Sequence, residues 1–254
     1  MTAIPDSEAN RLEGVLFDYG ETLVRFVRPD AALAAALLRI GATLVGAGME
    51  PPPLHTLRHE VIDRVEREVL DHQRRGELAE ISVVDASRHA YAEAGLDLED
   101  ELLDEVLRIE QEAWWQGATV DPAAIRVLDA LRRDGIRVGL CSNAPYRIRS
   151  LHAQLSYVGL DSHLDSVTFS AEVGWRKPSP RIFSAALQGL GTAASTTVMV
   201  GDSEAQDIAG AHEAGMRAVL LRRTGADTTT TADAVVDSLS ELTVALREIG
   251  LYWA

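Results

Sequence analysis

Short apolar runs recur along the chain and alternate with segments of helical periodicity. The runs are Gly14–Asp18, Ile136–Ser142, Ser166–Phe169, Thr196–Gly201, Arg217–Leu221 and Ala234–Val236. Each predicts a buried strand of a parallel sheet, because such strands are covered on both faces. Helices are predicted over Pro122–Arg133, Arg147–Val158, Pro180–Leu190, Ser203–Ala214 and Ser238–Ile249. The alternation predicts an α/β fold with a doubly wound, mainly parallel, Rossmann-like sheet, whose site lies at the carboxyl ends of the strands.

The alternation is interrupted between about Arg28 and Val120, where the pattern predicts helices and no strand. The four expected helices are Ala31–Val45, His55–Arg74, Val83–Ala94 and Glu101–Gln116. Pro51–Pro53 separates the first two, because proline ends a helix. We therefore expect an α-helical cap domain over residues 28–117, inserted into a core domain made of residues 12–27 and 118–254.

Composition and charge narrow the classes of partner. The net charge of −15 argues against nucleic acid and anionic membrane surfaces as general partners. No apolar run approaches the roughly 18 residues of a membrane span, and Met1–Asn10 has no signal pattern. Cys141 is the single cysteine, so no internal disulfide forms, and its apolar surroundings favour a buried side chain over a nucleophile. We expect a cytoplasmic monomer or homodimer.

Lysine occurs once in the chain, at Lys177, whereas the other 23 of its 24 basic residues are arginines. Lysine is a compact point charge on a thin stem, and arginine is a planar fork. A sequence that admits one ammonium group among so many guanidinium groups indicates a site that needs the compact charge. A surface lysine left by chance is the alternative.

Other polar side chains stand at the ends of predicted strands. Asp18 ends the first strand, Ser142 and Asn143 end the second, and Asp202 and Asp207 follow the fourth. Because the carboxyl ends of parallel strands share one edge of a sheet, the three carboxylates would repel one another unless a divalent cation neutralised them. Each segment alone also fits an ordinary turn or helix cap. Together they predict a Mg²⁺ site.

The order and strand context of these segments resemble the haloacid dehalogenase superfamily, in the subgroup with a helical cap inserted after the first motif. The resemblance extends over almost the whole chain and implies a hydrolase. It implies that Asp18 is a nucleophile that forms an aspartyl-phosphate, and that Lys177 neutralises charge on the nucleophile and the phosphoryl oxygens. Ser142 would bind the transferring phosphoryl group, with Asn143 beside it in the substrate site.

The resemblance also implies a ligand set for Mg²⁺. Asp18 would serve as a ligand as well as the nucleophile, and the backbone carbonyl of Gly20 would complete a second position. Asp202 and Asp207 would hold the metal from the other side of the site. The cofactor expected for this chain is therefore Mg²⁺.

The chain departs from the family pattern at Gly20. Family phosphatases usually carry there a second Asp, which acts as general acid and then base, and they usually have Gly where this chain has Glu21. Loss of a general acid typically lowers a rate by about 10²–10⁴-fold. Three explanations compete. Glu21 replaces the acid, the leaving group departs without a proton, or the chain is not an efficient phosphatase.

We expect a phosphatase with limited or specialised activity on a small phosphorylated metabolite. A carbon–halogen hydrolase is one alternative, although such dehalogenases do not use Mg²⁺, and Asp202 with Asp207 indicates a metal site. A catalytically weak relative that binds a phosphorylated ligand or a protein partner is another. The phosphonatase branch of the family needs a lysine in the cap to form a Schiff base. Lys177 is the only lysine and belongs to the core motif, so this branch is disfavoured.

Overall fold

The computed structural model describes residues 11–222 and 229–253; Met1–Asn10, where no signal pattern is expected, lies outside them. The described strands are β1 Gly14–Phe17, β2 Val24–Phe26, β3 Ala118–Val120, β4 Arg137–Ser142, β5 Ser166–Phe169, β6 Thr197–Gly201, β7 Arg217–Leu221 and β8 Ala234–Val236. Six of them form one sheet in the order β5-β4-β1-β6-β7-β8, and all of its pairs are parallel. The predicted parallel α/β sheet is confirmed.

Eleven α-helices are present in the described residues. They are α1 Asp30–Gly46, α2 Leu54–Leu57, α3 Asp63–Arg74, α4 Val83–Glu93, α5 Asp100–Trp115, α6 Ala124–Arg133, α7 Ile148–Tyr157, α8 Ser170–Val173, α9 Pro180–Leu190, α10 Ala209–Glu213 and α11 Leu242–Glu248. Two π-helical turns, Arg58–Ile62 and Glu204–Ile208, lead into α3 and α10. None of the described helices has the length and apolar character that a membrane span requires.

The sheet is covered on both faces, as its apolar strands require. Successive residues of a strand point to opposite faces, so Val15 and Phe17 pack with α6, α7 and α11, whereas Leu16 packs with α9 and α10. Cys141 lies in the second of these clusters. Burial raises the pKa of its thiol to about 12, so the side chain is an inert part of the core.

The helices from α1 to α5 have a hydrophobic cluster of their own. It contains Ile40 and Leu44 of α1, Tyr91 of α4 and Val106 of α5, all with at most 1% of their surface exposed. None of these residues belongs to the clusters that cover the sheet. Three of the four predicted helices are present within one residue of their expected bounds, as α1, α4 and α5. The fourth, His55–Arg74, is divided into α2, the π-helical turn Arg58–Ile62 and α3.

One expectation is wrong: β3, Ala118–Val120, falls at the end of the segment in which no strand was predicted. It pairs with β2, Val24–Phe26, as an antiparallel ribbon through which the chain enters and leaves the helical segment. Three-residue strands are too short for a two-residue alternation to be recognised in sequence. Gly117 permits the pairing, because an added Cβ would lie 1.9 Å from the carbonyl oxygen of Val27.

Candidate active site

The predicted site residues lie at one edge of the sheet. Asp18 follows the last residue of β1, and its backbone N–H donates to the carbonyl of Val200 on β6 (2.9 Å). Ser142 is the last residue of β4, and Asp202 follows the last residue of β6. Parallel pairing of β1 with β4 and β6 therefore brings these strand ends side by side.

The ammonium group of Lys177 lies between two carboxylates. Its Nζ donates to Asp18 Oδ1 at 2.7 Å and to Asp207 Oδ1 at 2.6 Å, and only 1% of the lysine side chain is exposed. Burial by itself favours the neutral amine, but the charges of the two carboxylates outweigh it and raise the pKa of Lys177. The lysine is therefore charged and links two loops that follow different strands.

Asn143 holds the backbone of the lysine. Its Oδ1 accepts a hydrogen bond from the Lys177 N–H (2.6 Å), and its Nδ2 donates to the Lys177 carbonyl (3.1 Å) and to Gln206 Oε1 (3.0 Å). The amide expected to contact substrate is thus engaged with the loop that carries the ammonium group. The role of Gln206 has no signal in the sequence, because its contact with Asn143 spans 63 positions.

Asp207 is fixed from two directions. Its Oδ2 accepts a hydrogen bond from the backbone N–H of Ser203 at 2.9 Å, while its Oδ1 faces Lys177. Burial raises the pKa of Asp207, and the lysine opposes this effect. Gly201 makes the arrangement possible, because a Cβ at that position would lie 2.2 Å from the carboxyl carbon of Asp207. The only sequence signal for Gly201 is its place directly before Asp202.

Asp18, Asp202 and Asp207 form a cluster in which one oxygen from each carboxylate lies within 4.8 Å of the others. Burial, followed by the charges of Asp18 and Asp207, raises the pKa of Asp202 to about 6. The three carboxylates and the one ammonium group of Lys177 leave a formal charge of −2. Clustered hard oxygen ligands with an excess of negative charge fit Mg²⁺.

The turn after Asp18 has room at Gly20 and an unusual conformation at Glu21. A Cβ added to Gly20 would approach only the ring of Phe26, at 3.9 Å, which is an ordinary contact. Glu21 has a φ of 55°, in the left-handed region that glycine favours. Its Oε1 accepts a hydrogen bond from the backbone N–H of Phe26 at 3.3 Å, so the carboxylate is directed at β2.

Ser142 is buried and lines a cavity of about 320 Å³ together with Gly20 and Asn143. The cavity extends from this edge of the sheet to α5, which contributes Trp114 and Trp115. It is within the size range of small-molecule sites.

Comparison with known proteins gives consistent matches. A family model described as haloacid dehalogenase-like hydrolase matches residues 12–215. A phosphatase from Mycobacterium tuberculosis is 34% identical over 155 residues, which are 61% of this chain and 67% of that protein. The chain spans between 40% and 58% of the length of four further curated relatives, each described as a phosphatase.

Two solved structures are similar over nearly their whole length. A HAD phosphatase from Thermococcus onnurineus has a TM-score of 0.62 and 26% identity, covering 92% of this chain and 98% of that chain. A 2-haloacid dehalogenase from Pseudomonas syringae pv. Tomato has a TM-score of 0.67 and 25% identity, covering 93% and 99%. The fold thus matches proteins described by two different chemistries.

The raised pKa of Asp202 predicts a pH-dependent stability in EDTA. Because the pKa in the folded protein is about 6 and the ordinary value is 3.8, the stability contributed by the protonated carboxyl is present below pH 3.8 and is lost as the pH rises through 6. Because water screens this partly exposed carboxyl, we expect Asp202→Asn to remove only on the order of 1–2 kcal/mol of this loss in denaturant unfolding between pH 4 and 7. Asp97→Asn, at an exposed loop position, should keep the wild-type profile. An unchanged profile in Asp202→Asn would contradict the assigned environment.

Proposed function

The chain belongs to the haloacid dehalogenase-like hydrolases, and we propose that it is a Mg²⁺-dependent phosphatase that acts on a small phosphorylated metabolite. The observation that carries the proposal is the cluster of Asp18, Asp202 and Asp207 around Lys177. Curated relatives described as phosphatases support the same reaction. A nucleophilic carboxylate, a fixed cation and a metal-binding carboxylate pair are the parts that covalent phosphoryl transfer requires.

In this proposal an oxygen of Asp18 attacks phosphorus and the bond from phosphorus to the leaving oxygen breaks, with its electron pair going to that oxygen. Water then attacks the aspartyl-phosphate, which releases inorganic phosphate and restores the carboxylate. Lys177 holds the carboxylate of Asp18 in position, because its ammonium group lies 2.7 Å from Asp18 Oδ1. Asn143 acts as a positioning residue through its bonds to the Lys177 backbone.

Asp18, Asp202, Asp207 and the Gly20 carbonyl are the proposed ligands of Mg²⁺. When bound, the ion supplies positive charge that lowers the repulsion between the nucleophile and the phosphoryl oxygens. Ser142, buried beside the cavity, would donate a hydrogen bond to one of those oxygens. Residues 28–117, with their separate hydrophobic cluster, are proposed to form a cap domain that closes the cavity from above.

Carbon–halogen hydrolysis is the second candidate. The similarity to a 2-haloacid dehalogenase over 93% of the chain favours it, as does the absence of an acid at Gly20, because a halide leaves without a proton. The excess negative charge of the cluster argues for the phosphatase, since one ammonium group cannot neutralise three carboxylates and a reaction without a metal leaves a formal charge of −2.

The proposal predicts phosphate release that depends on both Mg²⁺ and Asp18. A panel of phosphate esters, an anhydride and an acyl phosphate should give turnover with Mg²⁺ and none with EDTA, and Asp18→Asn should lower it by at least about 10³-fold, because the covalent intermediate cannot form. Asp97→Asn is the matched control. No release from any compound of the panel would refute the phosphatase, and halide release from 2-haloacids in EDTA would establish the second candidate.

Gly20→Asp tests whether a missing proton donor limits the wild-type protein. The site has space for the side chain, so we expect a gain of about 10²-fold or more with alkyl phosphates, whose leaving oxygens need a proton. With an acyl phosphate the gain should be small. Gly20→Asn has nearly the same shape without the acidic proton and should give no gain. Equal rates for Gly20→Asp and the wild type on alkyl phosphates would show that another group already donates the proton.

A further inference from the structure

The cavity beside Asp18 has walls suited to a flat, unsaturated group. It has a volume of about 320 Å³ and includes Gly20 and Ser142, which places it next to the proposed phosphoryl-transfer residues. Five of its lining side chains are aromatic, namely Tyr19, Phe26, Trp114, Trp115 and Tyr146. Aromatic faces bind other rings by stacking and edge contacts in addition to the area that they bury.

Two residues that line the cavity, Tyr19 and Gln111, are only 4% and 8% exposed. The hydroxyl oxygen of Tyr19 and Oε1 of Gln111 are fully buried and have no hydrogen-bond partner in the described part of the chain. A buried polar atom without a partner is costly, and such atoms are rare in folded proteins. Burial raises the pKa of Tyr19, so its hydroxyl keeps the proton and remains able to donate. A small rotation of either side chain towards the cavity would let a neutral hydrogen-bonding group of a bound molecule satisfy that atom.

No charged side chain is among the described residues that line this cavity. Two arginines next to lining residues are already paired: Arg28 lies 3.2 Å from both Glu66 and Asp30, and Arg147 forms an ion pair with Asp104. A carboxylate or second phosphate on the substrate would therefore enter an aromatic cavity whose lining offers no cation to compensate it, which is costly. The lining favours an uncharged leaving group.

We propose that the substrate is an aryl phosphate whose uncharged ring carries a neutral hydrogen-bonding substituent, with the ring between the aromatic walls and the substituent at Tyr19 and Gln111. This inference rests on the proposed phosphatase function. It also accounts for Gly20: when the bond from phosphorus to oxygen breaks, the electron pair goes to a phenolate. A phenol has a pKa near 10, so the phenolate departs without a proton donor and takes its proton from water afterwards.

Three matched substrates test the proposal in the wild-type protein with Mg²⁺: 4-carbamoylphenyl phosphate, 4-carboxyphenyl phosphate and 4-carbamoylbenzyl phosphate. We expect kcat/KM for the first to exceed that for the second by at least about tenfold, because the carboxylate has no partner. It should exceed that for the benzyl ester by about 10²-fold or more, because an alkoxide needs protonation. Equal or reversed orders would overturn the aryl proposal, whereas no Mg²⁺-dependent release from any phosphate, including acetyl phosphate, would overturn the phosphatase itself.

Gln111→Met locates the contact. Removing the carboxamide should lower the ratio of kcat/KM for 4-carbamoylphenyl phosphate to that for phenyl phosphate about tenfold, the effect of one lost hydrogen bond. The thermal midpoint should not fall, because the variant removes a buried atom without a partner. Gln188→Met, on the exposed side of α9, should keep the wild-type ratio. An unchanged ratio in Gln111→Met, or a lower midpoint with equal losses on both substrates, would refute the assigned contact.

Discussion

The buried ammonium group of Lys177 is the interaction on which the site depends. It joins Asp18, directly after β1, to Asp207, in the π-helical turn after β6. Without a cation between them, the two carboxylates would repel each other. Burying such a cluster is costly unless every charge is paired. A planar guanidinium needs more space than an ammonium group, which explains why one lysine persists in a chain that otherwise uses arginine.

The loop geometry around this lysine also explains how the site departs from its family. Glu21 adopts a left-handed conformation and bonds to the backbone of Phe26, so the turn after Asp18 is tied to β2. No acid stands at Gly20, and the space beyond it opens into an aromatic cavity. In the proposed reaction this aromatic cavity would select a leaving group that needs no proton, so that no proton donor is required at Gly20.

Much of this architecture could be predicted because its signals are local. A buried strand followed by Asp or Ser is visible in a few residues, and parallel pairing then brings the strand ends together. The bonds from Asn143 to Lys177 and Gln206 span 34 and 63 positions, and the ribbon of β2 with β3 joins three-residue segments about 90 positions apart. The unpaired atom of Gln111 depends on side-chain orientation across elements. Sequence patterns carry no information on such contacts.

The coupling of Asp18 and Asp207 through Lys177 is tested most directly by a double-mutant cycle on the free energy of unfolding in EDTA. Lys177→Met should cost about 3–5 kcal/mol, because it leaves buried carboxylates without their cation. Adding Asp207→Asn to Lys177→Met should restore part of that loss, which gives a coupling energy of about 1.5–3 kcal/mol. Effects of the two substitutions that add within about 0.5 kcal/mol would contradict the account.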